Sequence, residues 1–146
     1  MSIASEGRGA RRLFAAAAVW VGAGVAFGAF GAHLLAERIP EWYPEAELAA
    51  RRSMNWETGA HYQMLHGLGA LIAALACGHA RRPRLSLIGG VMLLLGNLVF
   101  SGSLYLLVLT GATWWGAIVP LGGLSQLLGW FVVAGCGPNF LPRSER

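Results

Sequence analysis

The chain contains no aspartate and no lysine, and only 12% of its 146 residues are charged. Soluble domains carry about 25%. So little charge cannot wet a globular surface. It suits a bilayer, where most of the surface must be apolar. There are two cysteines, Cys77 and Cys136, with no CxxC spacing. Both fall near one end of an apolar segment and read as small reduced core residues rather than a disulfide or metal site. Catalytic signatures are missing as well. No carboxylate pair lies within an apolar segment, and GxSxG, phosphate-loop and HExxH patterns do not occur. The expectation is a protein that is not an enzyme.

What is present is hydrophobic residue, at 55%, and glycine, at 21 positions. Glycine is well tolerated in membrane helices because it lets backbones approach closely. Four segments reach the roughly 20 apolar residues that a helix needs to cross a bilayer. They cover residues 13–35, 59–77, 85–109 and 118–136. Each must be helical, since lipid offers no water to an open strand. The expected fold is all-α, a single membrane domain built as a four-helix bundle. Pro40 and Pro44 break the connection after the first span. Residues 45–55 then have helix-forming composition and predict a short helix on the outer surface.

Arginine placement sets the orientation. Arg8, Arg11 and Arg12 precede the first span, Arg81, Arg82 and Arg84 lie between the second and third, and Arg143 and Arg146 follow the fourth. The opposite side has Arg38, Arg51 and Arg52, offset by five glutamates. Both termini are therefore expected in the cytoplasm. The net charge of +4 belongs to this flanking role and not to nucleic-acid binding. Trp114 and Trp115 fall on the short outer turn, where aromatic rings favour the headgroup level. The pair Arg11-Arg12 before an alanine-rich stretch also resembles a secretory signal. That stretch is long for a signal core, and retention is expected.

Helical periodicity separates lipid-facing from packed faces. In the second span Met64, Leu65, Leu68, Leu71, Ile72 and Leu75 share one face, with Gly59, Gln63, His66, Gly67 and Ala70 opposite. The third has a stripe of Ser86, Gly90, Asn97, Ser101 and Tyr105, and the fourth one of Gly122, Gly123, Gln126 and Gly129. The first has two small faces. One holds Ala15, Ala18, Gly22, Ala26, Ala29 and His33, the other Gly24, Gly28 and Gly31, which predicts packing on both sides. By helical rise, His33, Tyr105 and His66 lie within about 10 Å of the outer end, and Ser101 and Gln126 at about 14 Å. Asn97 lies deepest, at about 20 Å. With Tyr62 and Gln63, these residues form a candidate cluster in the outer half. Such groups commonly serve as helix–helix glue. They can also mark a ligand or proton site, and His33, His66 and Tyr105 could hold a quinone or haem. Pro120 is expected in the first turn of its span, where a missing N–H costs nothing.

Several motifs carry a resemblance. GAFGAH closes the first span at residues 28–33. Glu57-Thr58, then Tyr62-Gln63-Met64 and His66, opens the second. FSGSLYLL at residues 100–107 with Thr110-Gly111 ends the third. PLGG at residues 120–123 and Gly129-Trp130 mark the fourth. This set resembles the YgdD-like small integral membrane proteins, a family of unknown function, over most of the chain. Two departures are glycine at positions 59 and 67, where such sequences look alanine-like, and a longer outer loop around residues 40–44. The resemblance implies a four-helix inner-membrane protein of bacteria, with mitochondrial relatives, and brings no activity. The leading expectation is a non-enzymatic accessory or interaction subunit, partnered by the bilayer and by other membrane subunits or itself. Quinone or haem binding is the alternative, and an oligomeric transporter or channel ranks third.

Overall fold

A computed structural model describes residues 3–137, with side chains from residue 7; Arg143 and Arg146 lie outside the described residues. The described chain is all helix and turn. α1 (Ile3–Phe30) passes through a π turn (Gly31–Leu35) into α2 (Ala36–Trp42). Then come α3 (Ala46–Ala76), α4 (Pro83–Thr110) and α5 (Trp115–Ala134). Among the described residues, three stretches are long and apolar enough to cross a membrane: Gly7–Trp42, Pro83–Thr110 and Trp115–Ala134. α3 is not one of them, contrary to the sequence expectation. It packs between α1 and α4 like a fourth spanning helix, but Glu57, His61, Gln63 and His66 make its outer half polar.

The outer connection also differs from expectation. Residues 46–55 are helical, and they are the first turns of the 31-residue α3, continuous with the second expected span. The separate short helix is α2, which contains Pro40. A proline there lacks the N–H that would donate to the Ala36 carbonyl, so it removes one bond of this seven-residue helix. α2 folds back on α3. Leu35 and Ile39 join Ala49, Trp56, Tyr105 and Val108 in an outer core. Pro120 is not in the first turn either. α5 begins at Trp115, so the proline sits inside it. There it lacks the N–H that would donate to the Gly116 carbonyl.

α3 and α4 form the central pair. α1 lies against both, and α5 lies along α4 and reaches α3 through Trp130. An inner core of Leu13, Ala17, Ala70, Ala74 and Leu93 ties α1, α3 and α4 together. The expected lipid face of α3 is exposed at Leu65, Leu68, Ile72 and Leu75. The two small faces of α1 part company. Gly24, Gly28 and Gly31 approach Met64, Ala60 and Trp56 of α3. Ala15, Ala18, Gly22, Ala26 and Ala29 are all exposed, and a Cβ on Gly22 would meet nothing.

The antiparallel run of the helices collects basic residues at one end. Gly9 approaches Leu87, and the Arg81 N–H donates to Gly137 O at 3.2 Å. The segment before α1, the α3–α4 turn and the last described residue therefore share that end. It carries Arg8, Arg11, Arg12, Arg81, Arg82 and Arg84.

Candidate functional site

The polar cluster is built on the faces where α1, α3 and α4 meet. Gln63 and Asn97 have no exposed surface, nor has Ser101. Asn97 is at the centre. Its Oδ1 accepts from the Trp20 indole N–H at 2.7 Å, and its Nδ2 donates to Ser101 Oγ at 3.1 Å. Ser101 Oγ in turn donates to the Gly59 carbonyl at 2.8 Å. Above this, the Tyr105 hydroxyl donates to Gln63 Oε1 at 2.8 Å, while Gln63 Nε2 donates to the Trp20 carbonyl at 3.0 Å. One connected network thus joins three helices. Buried polar groups cost little when every one is paired, and these four, Gln63, Asn97, Ser101 and Tyr105, pair with one another and with α1.

The glycines are cut to fit this network. A Cβ at Gly59 would stand 2.8 Å from Tyr105 Cε1, and one at Gly67 would stand 2.6 Å from Val21. Here the space is taken by the Tyr105 ring and by α1. At the outer end the Trp56 indole donates to the Phe27 carbonyl at 2.8 Å and packs on Tyr105, with ring centroids 4.5 Å apart.

The remaining candidates do not join the network. His33 is exposed in the π turn, on the outward face of α1. The depth argument placed it at the right height, but the helix turns it away. Tyr62 is 37% exposed and stacks between His66 and Phe100, at 5.4 and 4.8 Å. His66 is buried, with Nδ1 3.0 Å from the Tyr62 carbonyl one turn back and the Trp130 ring 6.2 Å away. Gln126 is buried on α5, and its Nε2 has no hydrogen-bond partner. So the eight candidates divide into a closed network of four, an aromatic stack at His66 and Tyr62, an unpaired amide and an outward histidine.

Sequence reasoning missed Trp20 and Trp56. Each contributes an indole N–H that crosses a helix interface. The available signal was chemical: a buried tryptophan needs an acceptor. It also missed Ser125, whose Oγ donates to the Met92 carbonyl across the α4–α5 contact at 3.1 Å.

The arrangement can be compared with known proteins. The family model described as "Protein of unknown function (DUF423)" matches residues 27–123. The chain is 35% identical over 122 residues to the membrane protein YwdK of Bacillus subtilis, covering 80% of this chain and 88% of the relative. It is 39% identical over 108 residues to the inner membrane protein YgdD of Escherichia coli, covering 73% of each. A Staphylococcus epidermidis membrane protein is 38% identical over 109 residues, 75% of this chain and 80% of its own length. No solved structure matches. The matched residues contain the whole network except Trp20, together with the π turn and α2. On this footing the chain is a membrane protein belonging to the DUF423 family, whose function is unknown.

Proposed function

We propose that this protein crosses a plasma membrane four times, with both termini in the cytoplasm, and serves as a non-catalytic accessory subunit of another membrane protein. The observation that carries the reading is the open face of α1. Ala15, Ala18, Gly22, Ala26 and Ala29 form a smooth stripe of the kind that admits a second helix at close range. Elsewhere in the fold such stripes are filled. The internal polar network, by contrast, spends its donors on its own helices, which favours glue over a binding site there.

The stripe also speaks to the kind of partner. Continued by one and two further turns, it ends in exposed Arg8 and Arg11. Two copies meeting through this face in the same orientation would set four guanidinium groups together. Like charges at such a contact oppose association. A different protein, with small residues on its membrane helix and a carboxylate at the cytoplasmic end, fits better. A photoreactive residue at Ala18 or Gly22, irradiated in native membranes, tests this. The expected product is an adduct to one helix of another membrane protein, with acidic residues near its cytoplasmic end. Its yield should fall in Arg8→Glu/Arg11→Glu. A product containing only this chain, or only lipid, would overturn the reading.

A second reading, a quinone within the bundle, is favoured by one observation: the buried Gln126 amide with no partner, on the helix whose Trp130 approaches His66. A quinone carbonyl would accept from that amide. Stoichiometric quinone in an organic extract of the pure protein, lost in Gln126→Leu, would support it. A quinone-free extract would count against it.

A further inference from the structure

Glu57 lines two crevices at once. One, of about 370 Å³, lies between α3 and the π turn and includes Gly31, Leu35, Ile39, Ser53 and Trp56. The other, of about 290 Å³, lies on the far side of the same carboxylate and includes Thr58, His61 and Tyr62. The larger is within the size range of small-ligand pockets. The first is half enclosed and the second is a shallow, open depression, and both border Glu57.

The depth of this carboxylate is unusual. Trp56, its neighbour in the chain, packs against Tyr105, which lies five residues before the end of α4. That is about 7 Å below the outer end of the helix. Glu57 therefore stands at the height of the last turns of α4, where Leu106 and Leu109 are exposed, which is the edge of the hydrocarbon. Among the described residues it has no ion-pair partner; the two ion pairs are Arg38–Glu41 and Arg51–Glu47, further out. An unpaired charge at this depth is costly and calls for a counter-ion. The π turn contributes to the opening. Gly31 is pressed against the Trp56 indole, and the wide turn carries α1 around that ring, leaving the crevice beside it. π turns recur at functional sites.

We infer, resting on the orientation proposed above, that Glu57 and its two crevices bind a primary ammonium group at the outer membrane surface. The carboxylate supplies the charge, and the Ser53 and Thr58 hydroxyls and the His61 ring border it with further acceptors. A primary ammonium has three N–H donors to satisfy such a set. A metal ion would need more ligands, and the described residues hold no group of three carboxylate, histidine or cysteine side chains. The exposed Ala32 and Ala36 that also line the larger crevice suit a ligand that has an apolar part. Both an aminophospholipid headgroup and a free amphiphilic amine have this chemistry.

The test uses the full chain in nanodiscs of phosphatidylglycerol, with unfolding followed by tryptophan fluorescence. A ligand that binds only the folded state raises the midpoint. Adding phosphatidylethanolamine should raise it by several degrees, and phosphatidylcholine, which has no N–H, should not. Glu57→Gln should abolish the rise, and Glu57→Asp should keep part of it. Native mass spectrometry of the wild-type protein gives a readout independent of any variant. It should retain one phosphatidylethanolamine while phosphatidylglycerol is stripped. If free ethanolamine or a long-chain primary amine reproduces the shift in phosphatidylglycerol alone, the ammonium itself suffices and the source can be soluble. An equal rise in Glu57→Gln, an equal rise with phosphatidylcholine, or no response to any primary amine would each overturn the assignment.

Discussion

Two seams hold this protein together, and they are made differently. The seam of α1, α3 and α4 is polar, organised around Asn97, Ser101, Gln63 and Tyr105. The seam of α4 and α5 is nearly bare. There Gly96 meets Gly122 and Gly89 meets Gly129, each pair seven residues from the next along both helices. A Cβ on Gly96 would stand 2.9 Å from the Gly122 carbonyl, and one on Gly129 3.2 Å from the Gly89 carbonyl. The glycine seam gains its energy from close contact of backbones, and the polar seam from directed bonds. Lipid tails are as apolar as leucine, so neither seam can rely on hydrophobic burial. The difference predicts how each seam fails. Side chains can shift to absorb an error, but backbone cannot.

The sharpest break should therefore come in the glycine seam. A Cβ at Gly122 would overlap the Phe100 backbone nitrogen and stand 2.6 Å from the Gly96 carbonyl. Gly122→Ala should cost about 3 kcal/mol, read by reversible unfolding in mixed micelles. No second substitution that trims a side chain should restore it. Gly59→Ala is the matched experiment in the polar seam. It also inserts one methyl group, but against the Tyr105 ring rather than backbone. It should cost about 1–2 kcal/mol, and Tyr105→Leu should recover part of that loss. If Gly59→Ala proves as damaging and as hard to rescue as Gly122→Ala, the contrast between the seams is wrong.

The two seams were not equally legible in the sequence. Periodicity at 3.6 residues separates small and polar positions from large ones, so it placed Gln63, Asn97, Ser101 and Tyr105 on packed faces and Gly122, Gln126 and Gly129 on another. Rise per residue put most of the polar set in one half of the bundle. Periodicity does not say which neighbour a face meets. His33 has the right depth and the wrong direction, because it continues the face of Ala15, Ala18, Gly22, Ala26 and Ala29, which packs on no other helix. The π turn accounts for the misread connection. A helix that widens to pass Trp56 can continue into Ala36–Trp42, where proline signals suggested a break. The open face of α1 was legible as small but not as empty. A single chain cannot show whether a stripe is filled from within or by another molecule.

Within the polar seam the effects should be graded by connectivity. Asn97→Ala removes the acceptor of the Trp20 indole and the donor to Ser101. The cost should be about 1–2 kcal/mol, at the upper end for hydrogen bonds within membrane proteins. Trp20→Phe in the same background should then cost less than it does alone, because the indole N–H is already orphaned. Equal costs in both backgrounds would mean that the 2.7 Å bond contributes nothing measurable to the seam.

The smallest effect should belong to Tyr105→Phe. It keeps the ring that fills the space above Gly59 and packs on Trp56, and deletes only the hydroxyl that donates to Gln63. Gln63 keeps its bond to the Trp20 carbonyl, so the network is shortened rather than cut. A loss of about 0.6 kcal/mol is expected, the average for such bonds in a membrane bundle. A cycle with Gln63→Leu isolates the pair. A coupling near that value would place the polar seam among ordinary helix contacts, where many modest bonds act together. A coupling several times larger would make the Gln63–Tyr105 pair a locked element, and the polar seam, not the glycine seam, would then be the stiffer part of the fold.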